Sequence, residues 1–172
     1  LLSVLSGGFL LPLAPYNPWV DMKESDASLK LVEKGVNDFG CVGVKIYPPM
    51  GFFPYNNAQL KLLSPEPRPD LVLLDKKLAA LYELCDSLGV PVMAHANDSA
   101  GRDAAHDELA SSVGWTELTK KMPALKRLYV NAGHFGGALK HESGDWTDGF
   151  VSLMKNEGPL RVYGDLGYLS EL

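Results

Sequence analysis

VPVMAHA (Val90–Ala96) and RLYVNAGH (Arg127–His134) decide the fold. Each is a short β-rich apolar run that carries a histidine at its carboxyl end. Immediately before the first, Leu78, Leu81, Tyr82, Cys85 and Leu88 recur at helical spacing; Asp75 is the expected cap and Gly89 the stop. Between the two runs, Asn97–Gly114 reads as polar loop with a little helix, and Trp115–Met122 as a short helix stopped by Pro123.

The same alternation extends outward in both directions. Upstream lies CVGVKIY (Cys41–Tyr47), closed by Pro48 and Pro49. A helix over Asp26–Phe39 precedes it, with Leu29, Val32, Val36 and Phe39 on one face and Gly40 as its stop. The apolar run Leu2–Leu13 is expected to contain a first strand. Downstream, Asp145 is positioned to cap a helix with Trp146, Phe150, Leu153 and Met154 on one face, and RVYGDLG (Arg161–Gly167) reads as the last strand. A strand followed four times by helix and strand predicts an α/β fold with a parallel sheet covered by helices. A doubly wound open sheet and a (β/α)₈ TIM barrel both satisfy it. The stretch from Pro48 to about Leu74, with Pro54, Pro65, Pro67 and Pro69, is a long loop of the kind that often carries function.

With 172 residues, 46% hydrophobic and 22% charged, the chain has the composition of an ordinary globular domain, and we expect a single domain over 1–172. Its net charge is −5 and no Lys/Arg block is present, which argues against nucleic acid as a partner. Cys41 and Cys85 make no disulfide framework; they read as small hydrophobes in a reducing, cytoplasmic compartment. The first 15 residues, LLSVLSGGFLLPLAP, carry no charge. They lack the basic region of a signal peptide and are too short and too rich in Gly and Pro for a membrane helix. They are expected to form a buried strand and its exit loop, and the absence of an initial Met suggests a chain that begins inside a larger protein.

Both architectures place their active site at the carboxyl ends of the strands. There the second strand carries Lys45-Ile46-Tyr47, the third His95 followed by Asn97 and Asp98, the fourth His134, and the fifth Asp165. Histidines at matched ends of neighbouring strands bring two imidazoles within reach of one divalent ion. Taken singly, each is more often a hydrogen-bonded structural residue. Lys45 fits a substrate contact, a modified bridging ligand or a surface lysine with a buried stem; Asp165 fits a metal ligand or a hydrogen-bonding rim residue. His106 and His141 lie in polar stretches and read as surface residues. Gly133, Gly136 and Gly137 match neither the dinucleotide fingerprint nor the P-loop, and are expected to let the backbone turn tightly beside the rim.

GVKIYPP (Gly43–Pro49), LYELCDSLGVPVMAHAND (Leu81–Asp98), W-x₂-L-x₄-P-x-L (Trp115–Leu125), YVNAGHFGG (Tyr129–Gly137) and VYGDLGYLSEL (Val162–Leu172) together resemble the amidohydrolase superfamily. The resemblance is to the group holding the aminocarboxymuconate and resorcylate decarboxylases and the "amidohydrolase 2" proteins, and it runs from about Gly40 to the end. It implies a (β/α)₈ barrel with a mononuclear or binuclear metal site, zinc above all. It matches His95 and His134 to the metal-binding histidines that end the family's strands 5 and 6, and Lys45 to its strand 4, where some members carry a carboxylated bridging lysine. The His-x-His pair of strand 1 and the aspartate of strand 8 are absent, and Asp165 falls on strand 7. A barrel of this class takes about 250 residues, so the chain is expected to begin near strand 2 or 3, to stop after strand 7 and to be an incomplete barrel.

The expected activity is hydrolysis of an amide, ester or related bond in a small molecule by metal-activated water. Tyr47, Asn97, Asp98, Lys45 and Asp165 would then bind substrate. Two alternatives are a metal-dependent non-oxidative decarboxylase on the same scaffold and a catalytically incomplete module that self-associates through open sheet edges.

Overall fold

In the computed structural model the described residues are 2–59, 69–99, 103–137 and 146–167. Five strands form one sheet: β1 (Leu13–Pro15), β2 (Gly43–Ile46), β3 (Val92–His95), β4 (Leu128–Gly133) and β5 (Leu160–Gly164). Every neighbouring pair is parallel and the spatial order is the chain order, β1-β2-β3-β4-β5. The order contains no reversal of the kind that creates the crevice of a doubly wound sheet. It is compatible with an arc of an α/β barrel.

Register explains which residues lie on which face, because side chains alternate along a strand. Ala14, Val44, Val92, Val130 and Val162 align across all five strands, with Ile46, Ala94 and Ala132 in the next row up. These residues are buried, and they pack with Val32 of α3 (Ala27–Phe39), Leu74, Leu78, Leu81, Tyr82 and Cys85 of α4 (Leu71–Leu88), Trp115 and Leu118 of α6 (Val113–Lys121), and Phe150 and Leu153 of α7 (Thr147–Lys155). The four helices therefore cover one face. The opposite face presents the row Pro15, Lys45, Met93, Asn131 and Tyr163; here Lys45, Met93 and Asn131 are half-buried and Tyr163 is exposed.

Among the described residues, three further short α-helices are α1 (Leu2–Leu5), α2 (Pro18–Lys23) and α5 (Ala104–Asp107), and four 3₁₀ turns lie at Pro48–Met50, Asn57–Gln59, Glu108–Ala110 and His134–Gly136. The amino-terminal run departs from its expected form. Leu2–Leu5 is a helical turn, the strand begins only at Leu13, and Val4, Leu5, Phe9 and Leu11 are largely exposed rather than buried. The strand can end on Pro15 because β1 is the edge of the described sheet, where a missing backbone N–H costs no ladder bond. Among the described residues no helix is long and apolar enough to cross a membrane.

Helix α4 starts earlier than Asp75. Asp70 is its N-cap, accepting the Leu73 N–H at 2.9 Å, and Gly89 closes it in the left-handed conformation. Asp75 instead faces the loop after β2, where its carboxylate accepts the main-chain and side-chain N–H groups of Asn57. The expected cap Asp145 and His141 lie outside the described residues.

Helix α3 is capped from a neighbouring element. Asp26 at its N-cap position is left-handed and makes no side-chain capping bond. The nearly buried carboxylate of Asp21, on α2, accepts the Ser28 N–H at 2.6 Å and the Leu29 N–H at 3.2 Å. Those are two of the four donors a helix start leaves without partners. Asp21→Ala is expected to cost about 2 kcal/mol, read as a lower urea midpoint with unchanged slope. An unchanged midpoint would remove Asp21 from this role.

Candidate metal centre

Strand ends β3 and β4 bring His95 and His134 together. Their ring centroids are 4.9 Å apart and the planes stand at 71°. His95 is buried, and the ring of Tyr47 lies 4.4 Å from its ring, tilted by 30°. Tyr47 immediately follows β2, so three successive strand ends contribute rings to one place.

The main chain commits one nitrogen of each imidazole. His95 Nε2 lies 3.0 Å from the Asp98 carbonyl and His134 Nδ1 lies 3.1 Å from the Gly167 carbonyl. A carbonyl only accepts, so in each case the ring nitrogen is the donor. Asn97 and Asp98 form the turn that returns the Asp98 carbonyl to His95; within it Asn97 Oδ1 accepts the Asp98 N–H at 2.7 Å.

Electrostatics favour a neutral His95. Burial pushes it below the ordinary histidine range; the Asp98 carbonyl opposes this, while nearby His134 and Lys45 reinforce it. Lys45, half-buried on β2, is lowered by burial, with Asp165 acting in the opposite sense. Asp165 follows β5. Burial works against its charge, but the His134 and Gly167 N–H groups and the Asn131 amide outweigh it and hold the carboxyl below its usual range.

Gly133 shows how closely these groups converge. A Cβ there would lie 3.0 Å from the Ala94 carbonyl oxygen, 3.6 Å from Asp165 Oδ2 and 3.8 Å from Lys45 Nζ. Gly136 and Gly137 both have positive φ, and a Cβ on Gly136 would meet the Thr147 nitrogen at 2.8 Å. They serve the tight turn expected of them. His106 lies on α5, bonded through Nδ1 to Asp103.

The expected residues Lys45, Tyr47, His95, Asn97, Asp98, His134 and Asp165 thus all border one region. Sequence reasoning missed Asn131. Its signal was a polar residue inside an otherwise apolar parallel strand, in register between Met93 and Tyr163. It also missed the Gly167 carbonyl, which no side-chain pattern announces.

Two imidazoles, each held through one nitrogen by a main-chain carbonyl, suit two positions of a metal's coordination shell. Among the described residues no group of three or more His, Cys, Asp or Glu side chains is arranged to hold an ion. Cys41 is half-buried away from any disulfide, and burial pushes the Cys85 thiol up to about 12, so it stays a protonated core residue. No protein-family model matches the chain, and no curated protein or solved structure matches it.

Proposed function

We propose that this chain supplies part of the metal centre of a barrel hydrolase of the amidohydrolase type, with His95 and His134 as two ligands of a divalent ion, zinc above all. The observation that carries the reading is the imidazole pair. It sits at matched ends of adjacent parallel strands, rings 4.9 Å apart, each with one nitrogen tied to a carbonyl. A bound zinc would acidify a water molecule and polarise the bond to be cleaved.

The protein's own contribution is orientation. The Asp98 and Gly167 carbonyls set which nitrogen of each ring is the ligand. Tyr47 packs against His95 and restricts its ring. Lys45 brings a partly desolvated ammonium to the same rim, where it can receive an anionic or developing-anionic oxygen of a small-molecule substrate. Tyr47 and the Asn97–Asp98 turn would complete the substrate contacts.

Metal content and cobalt titration of the purified 172-residue chain test the reading. About one ion per chain is expected, and loss of that binding in His95→Ala and in His134→Ala. A parent chain that takes up no ion, or variants that bind as the parent does, would sink it.

A further inference from the structure

We propose that Asp165 is a positioning residue for His134, and not the substrate contact expected from its place on the rim. Both oxygens of its carboxylate are engaged within the protein. Oδ1 accepts the His134 N–H at 3.0 Å and the Gly167 N–H at 3.1 Å; Oδ2 accepts an Asn131 Nδ2–H at 3.2 Å. One side chain thereby ties the ends of β4 and β5 to each other.

What it holds is a backbone that does not hold itself. His134 and Phe135 are consecutive non-glycine residues with φ of 68° and 48°, in the left-handed region that L side chains enter at a cost. Such a conformation persists only where its surroundings impose it. The Asp165 bond to the His134 N–H acts at the first of the two strained residues.

The same carboxylate also reaches the ring. By accepting the Gly167 N–H two residues ahead, Asp165 folds its own chain into a turn. That turn presents the Gly167 carbonyl to His134 Nδ1 at 3.1 Å. Asp165 therefore governs His134 twice, through its main chain and through the proton on its imidazole. The second effect leaves Nε2 as the nitrogen with the lone pair. The significance for metal binding rests on the function proposed above; the control of the His134 tautomer does not.

Ring nitrogen spectra of the metal-free chain at about pH 8, above the ordinary histidine range, separate the two tautomers directly. His134 is expected as the Nδ1–H form in the parent. Asp165→Ala should shift it to a mixture rich in Nε2–H, while His95 keeps its Nε2–H form and so reports an intact fold. Asp165→Asn retains an acceptor for the two main-chain donors but turns an amide N–H toward that of Asn131, so its shift should be partial. Adding Asn131→Asp to Asp165→Asn keeps the two main-chain donors on Oδ1, restores the side-chain bond with its donor and acceptor exchanged, and should restore the Nδ1–H form. The proposal is overturned if His134 stays Nδ1–H in the Asp165 single variants, or if the double variant is no better than Asp165→Asn alone. Should Asp165→Ala fail to fold, Asp165→Asn and the double variant decide the matter.

Cobalt affinity is the second readout. It should fall about 10–100-fold in Asp165→Asn and recover in the double variant; an affinity unmoved by Asp165→Asn counts against the proposal. A parent chain that binds no cobalt removes the metal reading, and the tautomer spectra still decide the role of Asp165.

Discussion

Trp115→Ala is expected to destabilise the protein by about 4 kcal/mol, a large share of the roughly 5–15 kcal/mol that holds a domain together. Trp115 is 1% exposed and its ring lies 5.6 Å from that of Tyr82 at 52°, the tilted geometry that aromatic pairs favour. Tyr82 is fully buried on α4, and its hydroxyl donates to the Pro54 carbonyl at 2.7 Å. The indole thus sits where α6, α4 and the loop after β2 meet. Removing it opens a cavity bounded by two helices whose positions are set elsewhere, so the site cannot collapse fully. Urea unfolding should show a much lower midpoint at the parent slope, and Trp115→Phe should recover part of the loss. A midpoint within experimental error of the parent would mean that Trp115 does not carry this junction.

Asn57→Ala is expected to cost about 3 kcal/mol, although it removes only a small polar side chain. Asn57 is fully buried. Its Oδ1 accepts the Phe53 N–H at 2.8 Å, and its Nδ2 donates to the Phe53 carbonyl at 3.0 Å and to Asp75 Oδ1 at 2.7 Å. Alanine leaves each of those part-buried partners with one bond fewer. Asn57→Asp should be worse at neutral pH, because it sets a second carboxylate against Asp75. The introduced carboxyl would then have a folded pKa above its unfolded value. The variant should recover below the unfolded value and lose stability as pH rises through the folded one. Thermal unfolding across that acid range would show it, and a flat difference between the two variants would count against the buried network.

Much of this was legible in the sequence, and the reasons differ by element. The strands from Gly43 onward were readable because each is a short apolar run bounded by Gly, Pro or polar residues. The rim residues followed from them, since parallel strands expose their carboxyl ends together. The run Leu2–Leu13 misled because composition carries no period: its leucines and Phe9 are spaced for neither strand nor buried helix, and Gly7 and Gly8 break it at positive φ. Asp75 misled for a different reason. It is a plausible cap by type, yet Asp70 holds the first-turn donor and the tertiary partner Asn57 claims Asp75. Asp21, Asn131 and Gly167 were invisible because each acts on a residue in another element, through hydrogen bonds that no local pattern encodes.

The strand order has a consequence for how the molecule comes into being. Among the described residues, each strand pairs with the strands made just before and just after it. Among the described strands no pairing waits for a segment synthesised much later, so loop-closure cost stays low and this sheet can lengthen one helix–strand unit at a time as the chain leaves the ribosome. The imidazole pair depends on two consecutive units. The histidine from β4 meets that from β3 as soon as the second is laid down, and the turn after β5 then locks it. Assembly of the chain and assembly of this imidazole pair run in the same direction.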